Sequence, residues 1–193
     1  MEKLQQGDLY TLEHYARIRK EFRDQVIEHK RDRRIALGEH ASLYFEDRMT
    51  MQYQVQEMLR LERMFEPDLI QAELDVYNPL IPDGQNWKAT FMIEYPDETE
   101  RRAALAKLVG VESAVWMRVD GLDAIRPISN EDLSRSEEDK TSAVHFMRFE
   151  LTPPMIAALK SGAGLQAGID HPQCNVTVDV AESVRQSLTS DLA

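Results

Sequence analysis

Three charged side chains attract attention because helical periodicity places them among apolar residues. The N-terminal part of the sequence contains three segments with the three- and four-residue apolar spacing of a helix: residues 11–30, 49–65 and 67–77. At about 100° per residue, Arg19, Glu62 and Glu73 each fall within the apolar arc of their segment. The predicted buried arc of the third segment consists of Leu69, Ile70, Ala72, Val76 and Tyr77. The pattern therefore predicts that both glutamates point inward. Because an unpaired buried carboxylate is costly, each of them needs a partner, and we expect that partner to be Arg19.

Two interpretations of these inward charges remain open. In the first, Glu62, Glu73 and Arg19 form a buried salt-bridge network that fixes how the three helices pack. In the second, the glutamates act as acid, base or metal ligands in a polar pocket, because two carboxylates in a dry site titrate at different pH. Arg19 would then hold a carboxylate, and a histidine would complete the site. The candidate histidines for that position are His29, His40 and His171.

Other charges on these segments are assigned to the surface. Glu57 and Arg60 are three residues apart on the polar arc of the second segment, which predicts a surface ion pair. The first segment ends in a basic cluster, where cations favour the negative end of the helix dipole. This cluster is either a solvated helix end or a docking patch for an acidic partner, and it contains Lys30, Arg31, Arg33 and Arg34.

A metal site is a further hypothesis. His40, His145 and His171, with Asp170, are of the residue types that bind divalent metals, although they have no diagnostic spacing. The sequence contains no His-Glu-x-x-His, no helical Glu-x-x-His, no Gly-x-Gly-x-x-Gly and no P-loop motif. No cofactor is therefore evident from the sequence, and a divalent metal stays possible.

The elements that must position these residues indicate an α+β fold. Residues 87–95 alternate between apolar and polar, which is typical of a strand with unequal faces. Asp120-Gly121 lies between two further apolar runs and predicts a tight hairpin. We expect N-terminal helices packed on a mainly antiparallel sheet, with further short helices. The expected organisation is a single domain over residues 1–193, helix-rich in 1–80 and sheet-rich in 81–193.

Composition narrows the classes of function. The 193 residues contain 23 Lys and Arg against 34 Asp and Glu, giving a net charge of −11, which argues against binding to nucleic acid. No apolar run is long enough for a membrane span and no secretory signal pattern is present, so we expect a cytoplasmic protein without a membrane partner. The single cysteine, Cys174, cannot form an internal disulfide.

Three stretches carry a family resemblance. They are YQVQEMLR at residues 53–60, ELDVYNPLIP at 73–82 and GIDHP at 168–172. Together they resemble the bacterial domain of unknown function 3501 family, and the resemblance extends over nearly the whole chain. It implies a genetic neighbourhood with a rubrerythrin-like protein and an iron–sulfur oxidoreductase, and thus peroxide defence or electron transfer. It implies no catalytic residues.

Two functions follow as expectations. The first is an accessory or interaction protein that works with the rubrerythrin-like protein and the iron–sulfur oxidoreductase. The alternative is an enzyme that binds a metal or a small ligand at a buried site of Glu, Arg and His side chains.

Overall fold

The computed structural model describes residues 2–129, 131 and 140–193, and the chain has the predicted α+β fold. The helices are α1 (Leu12–Arg31), α2 (Arg48–Glu62), α3 (Pro67–Tyr77), α4 (Glu98–Lys107), α5 (Val111–Ala114), α6 (Pro153–Lys160) and α7 (Glu182–Thr189). The strands are β1 (Arg34–Ala36), β2 (Ala41–Glu46), β3 (Asn86–Ile93), β4 (Val115–Val119), β5 (Ile128–Ser129), β6 (Val144–Glu150), β7 (Leu165–His171) and β8 (Cys174–Asp179).

Local sequence signals set the ends of the three N-terminal helices. The Thr11 side chain accepts a hydrogen bond from the first turn of α1, and Asp47 does the same for α2. Pro67 opens α3, where its missing N–H costs nothing. Arg63 adopts a left-handed conformation, φ 54°, and thereby ends α2 directly after Glu62. No helix in the described part of the chain is long and apolar enough to cross a membrane.

The larger sheet is antiparallel and has the strand order β1-β2-β3-β6-β5. The predicted alternation in β3 is confirmed. Trp87, Ala89 and Phe91 are buried, whereas Lys88 and Thr90 point to the opposite face and are partly exposed. The outer face of this sheet, which points away from the core, therefore carries both polar and apolar side chains.

The smaller sheet has the order β4-β7-β8 and corrects the hairpin prediction. The chain does turn at Asp120-Gly121, and Gly121 has φ 77°, a conformation that favours glycine. With β4 the following run forms only an isolated bridge, between Met117 and Ile125, while β4 pairs along its length with β7. The sequence signal identified the turn but not the pairing partner.

The C-terminal segment is anchored to β3 and to the turn before it. The indole N–H of Trp87 donates to the carbonyl of Leu188 at 2.9 Å, and the amide of Ala193 donates to the carbonyl of Gly84 at 2.8 Å. The main core lies among both sheets and the later helices, and Leu188 belongs to it. A second cluster of Met51, Val55, Leu59 and Leu74 joins α2 to α3. The hydrogen bonds of Trp87 and Ala193 fix α7 and the chain end against β3 and the turn before it.

Candidate functional site

Arg19 is held by a glutamate other than the ones proposed. Arg19 Nε donates to Glu57 Oε1 at 2.7 Å, and Arg19 Nη2 donates to Oε2 at 2.8 Å. The buried Tyr15 hydroxyl donates to Glu57 Oε1 at 2.7 Å, and Arg60 Nη2 donates to Oε2 at 3.2 Å. Arg19, through its hydrogen bonds, is the main reason that the pKa of Glu57 is lowered to about 2. Burial and the Glu57 carboxylate raise the pKa of Tyr15.

The position of α2 explains why Glu57 has this role. α2 packs against α1 on one side and α3 on the other, so it buries a wider arc than its apolar stripe. Tyr53, Glu57 and Arg60, spaced four and three residues apart, lie on the side toward α1. The prediction that Glu57 forms only a surface pair is therefore wrong, since its side chain is 14% exposed.

Glu62 and Glu73 do not meet Arg19. Glu62 is the last residue of α2 and is exposed, because the chain turns away at Arg63. Glu73 is partly exposed on α3. Neither glutamate has a hydrogen bond or ion pair within residues 2–129, 131 and 140–193. The inward placement of Glu62 is wrong, and the structure does not bring Arg19, Glu62 and Glu73 into one site.

A second guanidinium, that of Arg33, lies far deeper. Its side chain is 1% exposed and so is that of Asp191, its main partner. Arg33 Nη1 and Nη2 donate to the two Asp191 carboxylate oxygens at 3.2 and 2.5 Å. The remaining donors reach the carbonyls of Phe45 and Glu46 at 3.1 Å each, and the Ser187 hydroxyl at 3.3 Å. Arg33 thus joins the end of β2 to the C-terminal segment.

This placement corrects the assignment of the basic cluster after α1. Arg33 cannot contribute to a docking patch because it is buried. Arg34 lies on β1 and donates to the Ser42 hydroxyl, and Arg31 pairs with Glu28 on the surface. The four basic residues therefore do not form one continuous surface, because Arg33 is buried while Arg31 and Arg34 are exposed.

His29 and Asp47 extend the Arg33 network toward the surface. His29 Nε2 lies 2.5 Å from Asp47 Oδ2, and Arg33 Nε lies 3.4 Å from the same oxygen. Burial tends to raise the pKa of Asp47, but Arg33, the Thr50 amide and His29 together lower it. Burial raises the pKa of Asp191, and Arg33 offsets this only in part. The arrangement holds two aspartates around one arginine.

The metal candidates lie in separate surroundings. His40 stacks on Tyr95 beside the β1–β2 turn, with ring centroids 3.9 Å apart. His145 is buried on β6, where its Nε2 lies 2.9 Å from the Thr141 hydroxyl. His171 Nε2 lies 3.1 Å from the carbonyl of Val109. Among the described residues, no three His, Cys, Asp or Glu side chains are grouped so that they could hold a metal.

Asp170, the fourth metal candidate, is engaged by neighbouring side chains. The indole N–H of Trp116 donates to its Oδ1 at 3.0 Å, and Arg126 Nη2 donates to its Oδ2 at 3.0 Å. Both carboxylate oxygens therefore have partners in the structure. These contacts tie β7 to β4 and to the segment that follows β4.

The most unusual surface lies on α3, where apolar residues cover roughly 200° of the helix at about 100° per residue. One side, with Ile70, Leu74 and Tyr77, packs against α2. The other side is uncovered and corrects the predicted buried arc. We call it the α3 stripe, and it consists of Leu69, Ala72 and Val76 of α3 together with Phe65, which precedes the helix.

Exposure in the α3 stripe is high for such residues. Phe65 is 66% exposed, Leu69 is 48% exposed and Val76 is 63% exposed. Asp68 and Asp75 border the stripe on one side and Glu73 on the other, and α3 contains no lysine or arginine. Contiguous exposed apolar side chains rimmed by polar ones are typical of protein interfaces. A sequence signal existed, since the apolar arc of α3 is too wide for one neighbour to cover.

Comparison with known proteins places the chain in a family. No curated protein matches it. A crystal structure described as a novel protein of unknown function from Burkholderia pseudomallei K96243, at 1.90 Å resolution, is 49% identical and covers 100% of both chains with a TM-score of 0.94. Residues 3–192 match the family described as "Protein of unknown function (DUF3501)". The resemblance seen in three short stretches is confirmed over nearly the full length, and the chain belongs to the DUF3501 family.

Proposed function

We propose that this protein is an accessory protein that binds another protein through the α3 stripe. The observation that carries the proposal is the uncovered side of α3, where Leu69 and Val76 are exposed and continue the exposed Phe65 just before the helix, although the opposite side of α3 packs against α2. Exposing these side chains to water is unfavourable, and a partner that covers them gains binding energy.

The charge around the stripe favours a partner of opposite sign. Asp68, Glu73 and Asp75 border the apolar residues, and α3 has no cation to balance them. A second copy of this chain would bring acidic rims together and so would be disfavoured. The fitting surface is an apolar anchor flanked by Lys or Arg, for example one face of an amphipathic helix.

The family resemblance suggests which protein to test first. It implies a rubrerythrin-like protein as neighbour, together with an iron–sulfur oxidoreductase. Binding to either would give this chain a role in cytoplasmic peroxide defence or electron transfer. The acidic rim and the apolar stripe support an interaction role, and the identity of the partner rests on the resemblance.

The test is a binding titration by calorimetry between the purified chain and the rubrerythrin-like protein, with the iron–sulfur oxidoreductase as a second titrant. We expect one of them to bind, and Leu69→Asp and Phe65→Asp each to weaken binding at least about tenfold, because central apolar anchors dominate interface energies. Ile27→Asp is the matched control, since Ile27 is 44% exposed on α1, away from the stripe.

Two outcomes would count against the proposal. Equal binding by Leu69→Asp and Ile27→Asp would remove the stripe from the interface. Light scattering that shows a dimer of this chain, lost in Leu69→Asp, would assign the stripe to a second copy instead of a heterologous partner.

A further inference from the structure

A groove of about 610 Å³ lies over the outer face of the larger sheet, next to the C-terminal end of α3. Its volume falls in the usual range of small-molecule sites, roughly 300–1,000 Å³. Most of its described lining is apolar and comes from α3, the turn after it, β5 and β6. These apolar residues include Val76, Tyr77, Leu80, Ile128 and Phe146.

One lysine in this groove forms no ion pair with a described residue, although the charges of Glu131 and Asp83 act on it from a longer distance. Lys88 is half-buried on β3 and has no hydrogen bond or ion pair with any described residue. Its register neighbour on β2 is Glu46, whose carboxylate oxygens accept from the hydroxyls of Thr50 at 2.7 Å and Thr90 at 3.0 Å. Burial, and to a smaller extent the charge of Arg148, lowers the pKa of Lys88. A half-buried ammonium group beside apolar walls gains most from an anion that replaces lost water.

The second cation of the groove is already neutralised. Arg148 donates from Nε and Nη2 to the two carboxylate oxygens of Glu131, at 2.8 and 2.7 Å, and its Nη1 contacts Glu150. Among the described lining residues Lys88 is therefore the cation without an ion pair, and the Glu131 carboxylate, whose charge reaches Lys88, would repel a strongly charged ligand. One available charge matches a ligand with one negative charge.

We propose that this groove binds a small amphipathic monocarboxylate, with the carboxylate on Lys88 Nζ and the hydrocarbon body along Tyr77, Leu80 and Ile128. The carboxylate accepts from the ammonium group, and the chain covers apolar surface that now faces water. The proposal assigns a ligand site and involves no covalent step.

The experiment uses the whole chain and octanoate as the probe, followed by calorimetry and by amide chemical shifts in NMR spectra. We expect octanoate to bind in the millimolar range or tighter, and the neutral isostere octanamide to bind at least about tenfold more weakly. Lys88→Met keeps the apolar stem and removes the charge, so it should weaken octanoate binding at least about tenfold as well. Lys107→Met, at an exposed position on α4, is the matched control and should bind like the parent.

Each other result would overturn the proposal. No shift of any amide at millimolar octanoate would mean that the groove takes no such ligand. Equal affinity for octanoate and octanamide, or an unchanged affinity in Lys88→Met, would mean that the carboxylate is not recognised. Tighter binding of octyl phosphate than of octanoate would assign the groove to phosphate esters.

The groove and the α3 stripe are proposed as separate binding sites, although Val76 belongs to both. The stripe is tested by Leu69→Asp with a protein partner, and the groove by Lys88→Met with a small probe. Failure of one test leaves the other result unchanged.

Discussion

Two arginines on neighbouring parts of the chain hold carboxylates at very different depths. The side chain of Arg19 is 38% exposed and pairs with Glu57 between α1 and α2. The side chain of Arg33 is 1% exposed and pairs with Asp191, which is 158 positions away in the sequence. The chemistry of the two pairs is the same, but water reaches only the first.

The degree of burial determines how each ion pair affects the stability of the fold. A partly exposed ion pair contributes little, because water and salt screen it. A buried pair costs desolvation when it forms, and removal of one member leaves an uncompensated charge in the interior. Arg33 therefore constrains the fold by making any other arrangement of β2 and the C-terminal segment costly, whereas Arg19 only adjusts the contact between α1 and α2.

The largest effect is expected for Arg33→Met. This change leaves Asp191 and Asp47 without their buried cation, and we expect the free energy of unfolding to fall by about 3–5 kcal/mol in urea titrations. In the Arg33→Met background, Asp191→Asn should recover part of the loss, because it removes the orphaned charge.

Arg31→Met is the matched control for Arg33→Met. Arg31 pairs with Glu28 on the surface, and both side chains are 69% exposed. The control should lose less than about 1 kcal/mol. Similar losses for Arg31→Met and Arg33→Met would contradict the contrast in depth.

A smaller effect is expected for Glu57→Gln. The pKa of Glu57 lies below its ordinary value, so its ionised form stabilises the fold above that value. This stabilisation should disappear as the pH falls from the ordinary range of a glutamate toward about 2. Near neutral pH we expect Glu57→Gln to lose about 1 kcal/mol, and below pH 4 the difference from the parent should shrink in urea titrations.

Glu28→Gln is the matched control for this pH dependence, because Glu28 also pairs with an arginine but on the open surface. Its effect should be small at every pH. If Glu57→Gln lost the same amount near neutral pH and in acid, the Glu57 carboxylate would not be the group that titrates, and the hydrogen bond from Tyr15 would explain the effect instead.

Local sequence signals predicted much of the fold. The alternation over residues 87–95 identified β3 and its buried face, and the periodicity of residues 11–30 identified α1, because the spacing of apolar residues differs between a strand and a helix. The partner of β4 was not predictable in this way. Its pairing with β7 depends on contacts distant in sequence, which no local pattern encodes.

The charged contacts were only partly predictable. Arg19 was identified as an inward-facing charge, but its partner was misassigned because α2 packs on two sides and so buries part of its polar arc. Helical periodicity shows which residues share a face but not what covers that face, which is why Leu69, Ala72 and Val76 were placed inside. The sequence carries no signal for the pair of Arg33 and Asp191. Asp191 lies after the end of α7, in a short segment that mixes polar and apolar residues without a regular spacing.

The smallest effect should come from Glu62→Gln and Glu73→Gln, because Glu62 is exposed and Glu73 is partly exposed. Neither carboxylate has a partner among the described residues, and Glu62 is exposed where α2 ends. Each variant should unfold within about 0.5 kcal/mol of the parent. A loss as large as that of Arg33→Met would mean that these glutamates are buried after all. If Glu73→Gln lost partner binding but kept its stability, Glu73 would lie at the rim of the interface. Its carboxylate would then contact the partner and contribute nothing to the fold of this chain.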